Sequence, residues 1–240
     1  MIQACRSGKK LASLIMGLSL EHYQQSVLKR ALPLSEKVVE AFYSQPRHLF
    51  VPEYTVEEAY EDHPLVLFNN PPYVSTISQP SFVLRILDLL KLGPGQKVFE
   101  LGTGSGWNTA MMAEIVGAAG KVVSVEVIAE LAERAQKILR ERNLPQVLVK
   151  AGDGFEGDAA NAPYDRVIFT AGSSEFPQKV FEQLKESGWM VFVRKNRGSP
   201  DMLELIHKVQ SEPHVVTSVP CSFVNVVREK AGPDSKEQSL

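Results

Sequence analysis

Residues that often announce chemistry are scarce in this chain. Only two cysteines occur, Cys5 and Cys221; they form neither a disulfide framework nor a metal-ligand spacing, and that fits a reducing compartment. The five histidines, His22, His48, His63, His207 and His214, are scattered without ligand spacing, so no metal is implied. Charge of one sign is missing as well. Lysine and arginine total 26 against 28 acidic residues, a net charge of -2, which leaves no electrostatic footprint for a long nucleic acid. No apolar run approaches the roughly 20 residues that span a bilayer. The short run Leu11 to Met16 behind Arg6, Lys9 and Lys10 lacks a clear cleavage site for a secretory signal. These absences predict a cytoplasmic protein with neither nucleic acid nor membrane as partner. There is no internal repeat.

What is present is ordinary globular material. With 240 residues, 44% hydrophobic and 22% charged, the chain suits one substantial α/β domain with one core and a terminal extension. Val38, Val39, Phe42 and Tyr43 recur at helical spacing from Ser35, a candidate N-cap, to Phe50, and Pro52 is expected to stop that helix. Tyr60 to Pro80, with its asparagines and prolines, reads as a surface loop. A helix follows, with Ser78 where an N-cap belongs and Pro80 in the first turn; it ends near Gly93.

From Lys97 the chain alternates. Strands are expected at Lys97 to Leu101, Lys121 to Glu126, Gln146 to Ala151, Tyr164 to Thr170 and Trp189 to Arg194. The helices between them run Trp107 to Val116, Ala129 to Arg142 and Gln178 to Lys185. Such alternation predicts a doubly wound, Rossmann-like parallel sheet with right-handed crossovers. Leu203 to Val209 and Val219 to Val227 lack an intervening helix, which predicts a C-terminal antiparallel edge. The expected division is a helical extension with a substrate-side loop over residues 1–80, a ligand-binding domain over 81–228, and a polar, disordered tail over 229–240.

Glu100-Leu101-Gly102-Thr103-Gly104-Ser105-Gly106 joins a predicted strand to a predicted helix, where backbone free of side chains can turn sharply and approach a ligand. Glu126 ends the next strand, the place from which a doubly wound fold offers a carboxylate to the hydroxyls of an adenosine ribose. Dinucleotides and S-adenosylmethionine share both features. Glu100 tilts the choice, because a carboxylate beside the loop repels a pyrophosphate but suits the ammonium of a methionine moiety. Asp153-Gly154 follows the third strand, where an Asp can accept from an adenine amine, and Phe155 could pack on the ring or serve the core.

Taken together, these residues resemble the protein-L-isoaspartate O-methyltransferases, within the class I S-adenosylmethionine-dependent methyltransferases. Arg47-His48-Leu49-Phe50-Val51-Pro52 is similar to the family's Arg-x-x-Phe-Val-Pro, and Ala59-Tyr60-Glu61-Asp62 to its Ala-Tyr-x-Asp. Thr76-Ile77-Ser78-Gln79-Pro80 matches its most diagnostic segment. The glycine loop, Asp153-Gly154, and Ala162-Pro163-Tyr164-Asp165 with Val167 to Ala171 continue the likeness. The resemblance implies methyl transfer from S-adenosylmethionine to the free carboxylate of L-isoaspartyl residues in damaged proteins or peptides, leaving S-adenosylhomocysteine. It also implies that Ser78 donates its hydroxyl to that carboxylate while Thr76 and Ile77 line the channel to the methyl group. A carboxylate is already ionised at neutral pH and needs no general base, which agrees with the absence of a His-Asp or cysteine constellation.

Three segments depart from the family pattern. Asp158 stands after Gly157 where a tryptophan is usual, Met190 to Arg194 replaces Val-Ile-Pro-Val, and Asn225-Val226 replaces Pro-Leu. A methyltransferase of the same fold with a different substrate, and a non-catalytic adenosyl-ligand-binding module, remain open on the sequence.

Overall fold

The structure, a computed structural model, describes residues 19–228; the basic N-terminal stretch and the polar tail lie outside the described residues. Helix α1 (Leu20–Ala31) begins at Ser19, whose hydroxyl accepts from the His22 amide, and it buries Gln24, Val27, Leu28 and Ala31. That spacing puts the four on one face, a pattern that the sequence reading missed. Helix α2 (Glu36–Ser44) starts from Ser35 as expected, although the Ser35 side chain makes no capping bond. It ends before Pro46 rather than Pro52, because a proline lacks the amide that would continue the ladder; a 3-10 turn (Arg47–Phe50) follows. Helix α3 (Val56–Tyr60) opens with a full capping box between Thr55 and Glu58.

The expected surface loop is instead a β-hairpin of β1 (Leu65–Asn70) and β2 (Tyr73–Ile77), paired from Asn70↔Tyr73 to Leu65↔Ile77. Pro71 and Pro72 occupy the turn, where neither is asked to donate to the ladder. Their cluster hid two short strands. Helix α4 (Pro80–Leu89) carries the chain into the main sheet.

That sheet holds β3 (Lys97–Leu101), β4 (Lys121–Glu126), β5 (Val147–Ala151), β6 (Tyr164–Ser173), β7 (Leu184–Arg194), β8 (Asp201–Val209) and β9 (Glu212–Cys221), in spatial order β5-β4-β3-β6-β7-β8-β9. The five strands β3 to β7 run parallel and β8 and β9 antiparallel. Helices α5 (Trp107–Val116), α6 (Ala129–Glu141) and the short α7 (Gln178–Glu182) make the crossovers. The fold is therefore the doubly wound α/β sheet with an antiparallel edge. Strand order reverses between β3 and β6, and ligands in such sheets sit at the carboxyl ends of the strands at that switch.

One core was expected; two apolar layers are found, because a sheet covered on both faces separates them. Alternate residues of each strand serve opposite layers: Val98 joins Phe42, Phe50, Leu84 and Trp107 on one side, while Phe99 joins Val167, Phe169 and Phe192 on the other. Residues on both sides of Pro80, such as Phe42 and Met111, share the first layer. The last segment also differs from expectation. β9 ends at Cys221, and the chain then crosses to β6, where Gly172 donates to the Val224 carbonyl and accepts from the Val226 amide, both at 2.8 Å.

Candidate functional site

At the switch point lies a cavity whose empty space, open mouth included, is about 1020 Å³, room for a nucleoside-bearing ligand. The turn from β3 into α5 forms its floor. Gly102, Gly104 and Gly106 all hold positive φ, at 93°, 53° and 84°, a region costly to other residues. Gly102 is crowded as well: a Cβ there would stand 2.2 Å from the Thr170 hydroxyl oxygen. Gly106 lies off the cavity and packs against Ala135 and Leu139 of α6, where its lack of a side chain brings two helices together.

Of the twelve residues picked from the sequence, Thr76, Ile77, Ser78, Gly102, Thr103, Gly104, Ser105, Glu126, Asp153 and Gly154 line this cavity; Glu100 and Gly106 do not. Glu126 is turned onto the loop it faces. One of its carboxylate oxygens accepts from the Gly104 amide at 2.8 Å and the other from the Ile128 amide at 3.1 Å, and each oxygen retains a lone pair for a further donor. Burial raises its pKa against those backbone donors. Asp153 accepts from the Phe155 amide at 2.8 Å and from Arg228 at 3.3 Å. Arg228 also pairs with Glu156 and Glu175 and lies over the Phe155 ring, tying the C-terminal crossing segment to the cavity wall. Phe155 itself sits in the second apolar layer.

Glu100 is fully buried among hydroxyls and an amide. Its carboxylate accepts from Ser124 at 2.6 Å, from Thr109, and from the Asn108 amide at 2.7 Å, and Thr103 bonds Ser124 in turn at 2.6 Å. Burial pushes its pKa up to about 7 despite those three donors. The raised value has a consequence for stability. A folded protein that binds a proton more tightly than its unfolded chain is favoured below the unfolded pKa, near 4.5, and loses that advantage as pH rises through about 7. Glu100→Gln is expected to remove the loss, on the order of 3 kcal/mol for a shift of this size. Denaturant titrations of both proteins at pH 5 and pH 8 measure it. Equal pH differences in the two proteins would refute the assignment.

Ser78 stands one residue before the position assigned to it. The N-cap of α4 is Gln79, with no side-chain capping bond. The free amide of the first turn is satisfied from a distance instead: Asp62 accepts from the Ser81 amide at 3.0 Å and the Ser81 hydroxyl at 2.9 Å, and Gln79 donates to it at 3.0 Å. Asp62 thus does the capping, and Ser78 lines the cavity instead. β2 brings Thr76 and Ile77 over the glycine loop; an ideal Cβ on Gly104 would lie 3.9 Å from the Thr76 carbonyl oxygen. Behind β2, the buried Arg47 donates to the Ala59 carbonyl at 2.6 Å and lies 4.7 Å over the Trp107 ring. Burial lowers its pKa to about 9, so it stays charged at neutral pH.

Sequence reasoning missed Asn108, Thr170 and the segment Phe223 to Val227 as parts of the wall. For Asn108 the signal was its place in the first turn after the loop; the C-terminal segment carries no local signal. Of the three departures, only Asn225-Val226 reaches the cavity; Asp158 is paired with Lys150 at 2.7 Å, away from it.

Among the described residues, the charged side chains lining the cavity are two carboxylates, Glu126 and Asp153, with no lysine or arginine. Such a lining opposes a pyrophosphate and accepts a cation. The described residues contain no helix long and apolar enough to cross a membrane.

Comparison with known proteins agrees with this geometry. The sequence profile of the protein-L-isoaspartate(D-aspartate) O-methyltransferases matches residues 21–231. The chain is 48% identical over 164 residues to protein-L-isoaspartate O-methyltransferase 2 of Archaeoglobus fulgidus, covering 68% of this chain and 73% of that one. It is 37% identical over 222 residues to the Ignicoccus hospitalis protein-L-isoaspartate O-methyltransferase, covering 92% and 99%. A solved protein-L-isoaspartate O-methyltransferase superposes with a TM-score of 0.79 at 29% identity; the match covers 86% of this chain and spans 65% of that structure's length. With the diagnostic segment seated over the glycine loop and the profile running through nearly all the described residues, the chain belongs to the protein-L-isoaspartate(D-aspartate) O-methyltransferase family.

Proposed function

We infer that this protein transfers the methyl group of S-adenosylmethionine to the free carboxylate of L-isoaspartyl residues in damaged proteins or peptides, the opening step of their repair. The observation that carries the reading is the meeting of Thr76-Ile77-Ser78 with the glycine loop in one cavity whose charged lining is wholly acidic. Taken as a whole, a lining with two carboxylates and no lysine or arginine favours a positively charged ligand over a pyrophosphate.

The donor, when bound, supplies a methyl group on positively charged sulfur. The remaining work belongs to this chain. Glu126 accepts from the ribose hydroxyls and Asp153 from the adenine amine. The backbone of Gly102 to Ser105 gives close approach, as only glycine-rich turns can. Ser78 donates to one oxygen of the substrate carboxylate. The other oxygen is an ionised nucleophile already, so the site has mainly to align and desolvate it, which can supply roughly 7–11 kcal/mol in favourable cases. No residue is required as a general base.

In this reading residues 19–80 form the substrate-side cover and 81–228 the donor-binding body. The working compartment is the cytoplasm, supported by the low cysteine count; no metal takes part, and nucleic acid is not a partner.

The test uses methyl-labelled S-adenosylmethionine with matched peptides carrying L-isoaspartate or ordinary aspartate at one position. A base-labile methyl ester on the isoaspartyl peptide alone is expected. Donor binding with no label on that peptide would leave the fold's other readings, a different substrate or a binding module.

A further inference from the structure

The acidic residue before the glycine loop was expected to serve the donor's ammonium directly, yet Glu100 is wholly buried and does not line the cavity. Its neighbour does. Asn108, in the first turn of α5, lines the cavity and donates its side-chain N–H to Glu100 at 2.7 Å. A planar amide whose nitrogen is committed to a carboxylate must turn its oxygen the other way. Among the described residues, no donor reaches that oxygen.

We propose that the Asn108 side-chain oxygen, oriented by Glu100, is the acceptor for the ammonium of the donor's methionine moiety. The inference rests on the donor assigned above.

Three arguments support it beyond the single hydrogen bond. The two carboxylates that do line the cavity stand elsewhere, Glu126 at the end of β4 and Asp153 after β5, on the side given to the nucleoside. With the nucleoside given to that side, the methionine moiety falls to the rest of the cavity, which Asn108 and Thr76 to Ser78 also line. Second, the orientation of Asn108 is fixed from behind. Glu100 has its other oxygen saturated by Thr109 and Ser124, so the oxygen facing Asn108 has the amide as its donor, and with Glu100 ionised, as it is above about pH 7, a flipped amide would set two acceptors against each other. Third, the arrangement puts a neutral acceptor in contact with the ligand and a carboxylate one residue behind it. An ammonium then meets a dipole aligned by a charge, without a second exposed carboxylate that would attract competing cations. Asn108 is thus a binding residue and Glu100 a positioning residue that acts through it.

The experiment compares two thioether ligands, S-adenosylhomocysteine and 5′-methylthioadenosine, which share the nucleoside but not the amino-acid end. Calorimetric Kd values are measured at pH 8, where Glu100 is ionised, for the natural protein, Asn108→Leu, Asn108→Ala and Glu100→Gln. Both Asn108 variants are expected to weaken S-adenosylhomocysteine about ten- to hundredfold, the range for a lost hydrogen bond to a charged group, while methylthioadenosine changes less than threefold. Glu100→Gln is expected to weaken S-adenosylhomocysteine by a smaller factor and again to spare methylthioadenosine, since a neutral partner no longer dictates which way the amide faces. Retained methylthioadenosine binding shows that the pocket is intact in each variant. Equal weakening of both ligands, or loss of neither, overturns the proposal while leaving the donor assignment standing. Failure of the natural protein to bind either ligand would overturn the donor assignment and, with it, the proposal.

Discussion

Gly102→Ala is expected to lower stability by about 3 kcal/mol and to weaken donor binding at least tenfold. The left-handed backbone alone costs an L-residue roughly 1–2 kcal/mol, and φ at this position is 93°. The new methyl then meets the Thr170 hydroxyl oxygen at 2.2 Å. That oxygen cannot swing aside freely, because its single proton is shared between the carbonyls of Leu101 and Gly102, at 2.9 and 2.7 Å, and a threonine is stiff about χ1. Relief must therefore come from the loop, which carries the Gly104 amide that holds Glu126. The proper control is Gly198→Ala, where φ is 78° and nothing lies within 4 Å of the added carbon. Thermal melts should separate the two variants, with a drop for Gly102→Ala of roughly 6–12 °C and a smaller one for Gly198→Ala. Parallel titration with S-adenosylhomocysteine should show the affinity loss only in the loop variant. If both variants melt and bind alike, the collision with Thr170 has no energetic weight.

Ser78→Ala should behave in the opposite way, losing rate and little else. Because Asp62 caps α4 through Ser81, the hydroxyl of Ser78 can be removed without freeing a helix amide, and the melting temperature should stay within about 1 °C, as for substitutions away from buried networks. The donor's work is alignment, since the carboxylate gives up its charge as it attacks, and misplacing a reacting oxygen can cost on the order of a hundredfold in turnover. The expected pattern is a fall of that size in kcat on an isoaspartyl peptide, with the Kd for S-adenosylmethionine changed no more than threefold. Single-turnover kinetics with labelled donor measure the first and calorimetry the second. Unchanged turnover would remove Ser78 from the mechanism. A large drop in stability would show that the helix leans on this residue after all.

Much of the architecture was legible in the sequence. The strands at Lys97, Lys121 and Tyr164 and the helices at Trp107 and Ala129 start at the residues that the hydrophobic period indicates, since buried parallel strands and their crossover helices differ so plainly in pattern. The hairpin was not legible: β1 and β2 are short, and Pro71 and Pro72 read as loop although they only form its turn. Helix α1 escaped because its apolar face is narrow and includes Gln24. The candidate site divides along the same line. Ten of its twelve chosen residues reach the cavity: Thr76 to Ser78 were chosen on the family resemblance, and the others come from segments where a strand end or a glycine turn fixes direction locally.

By itself, then, the sequence determined where the backbone must turn sharply, which faces are apolar and which carboxylate ends β4, for these follow from residue type and spacing alone. Only the tertiary structure decided what each polar side chain does there. Asp62, 19 residues upstream of Ser81, takes over the capping of α4. Ser124 and Thr109 draw Glu100 away from the cavity, leaving Asn108 at the surface. Gly172 recruits Val224 and Val226 to close the wall. Each outcome depends on a hydrogen bond between segments distant in the chain. Burial makes an unpaired polar group expensive, so partners are chosen by what folding brings near, and no local period records that choice.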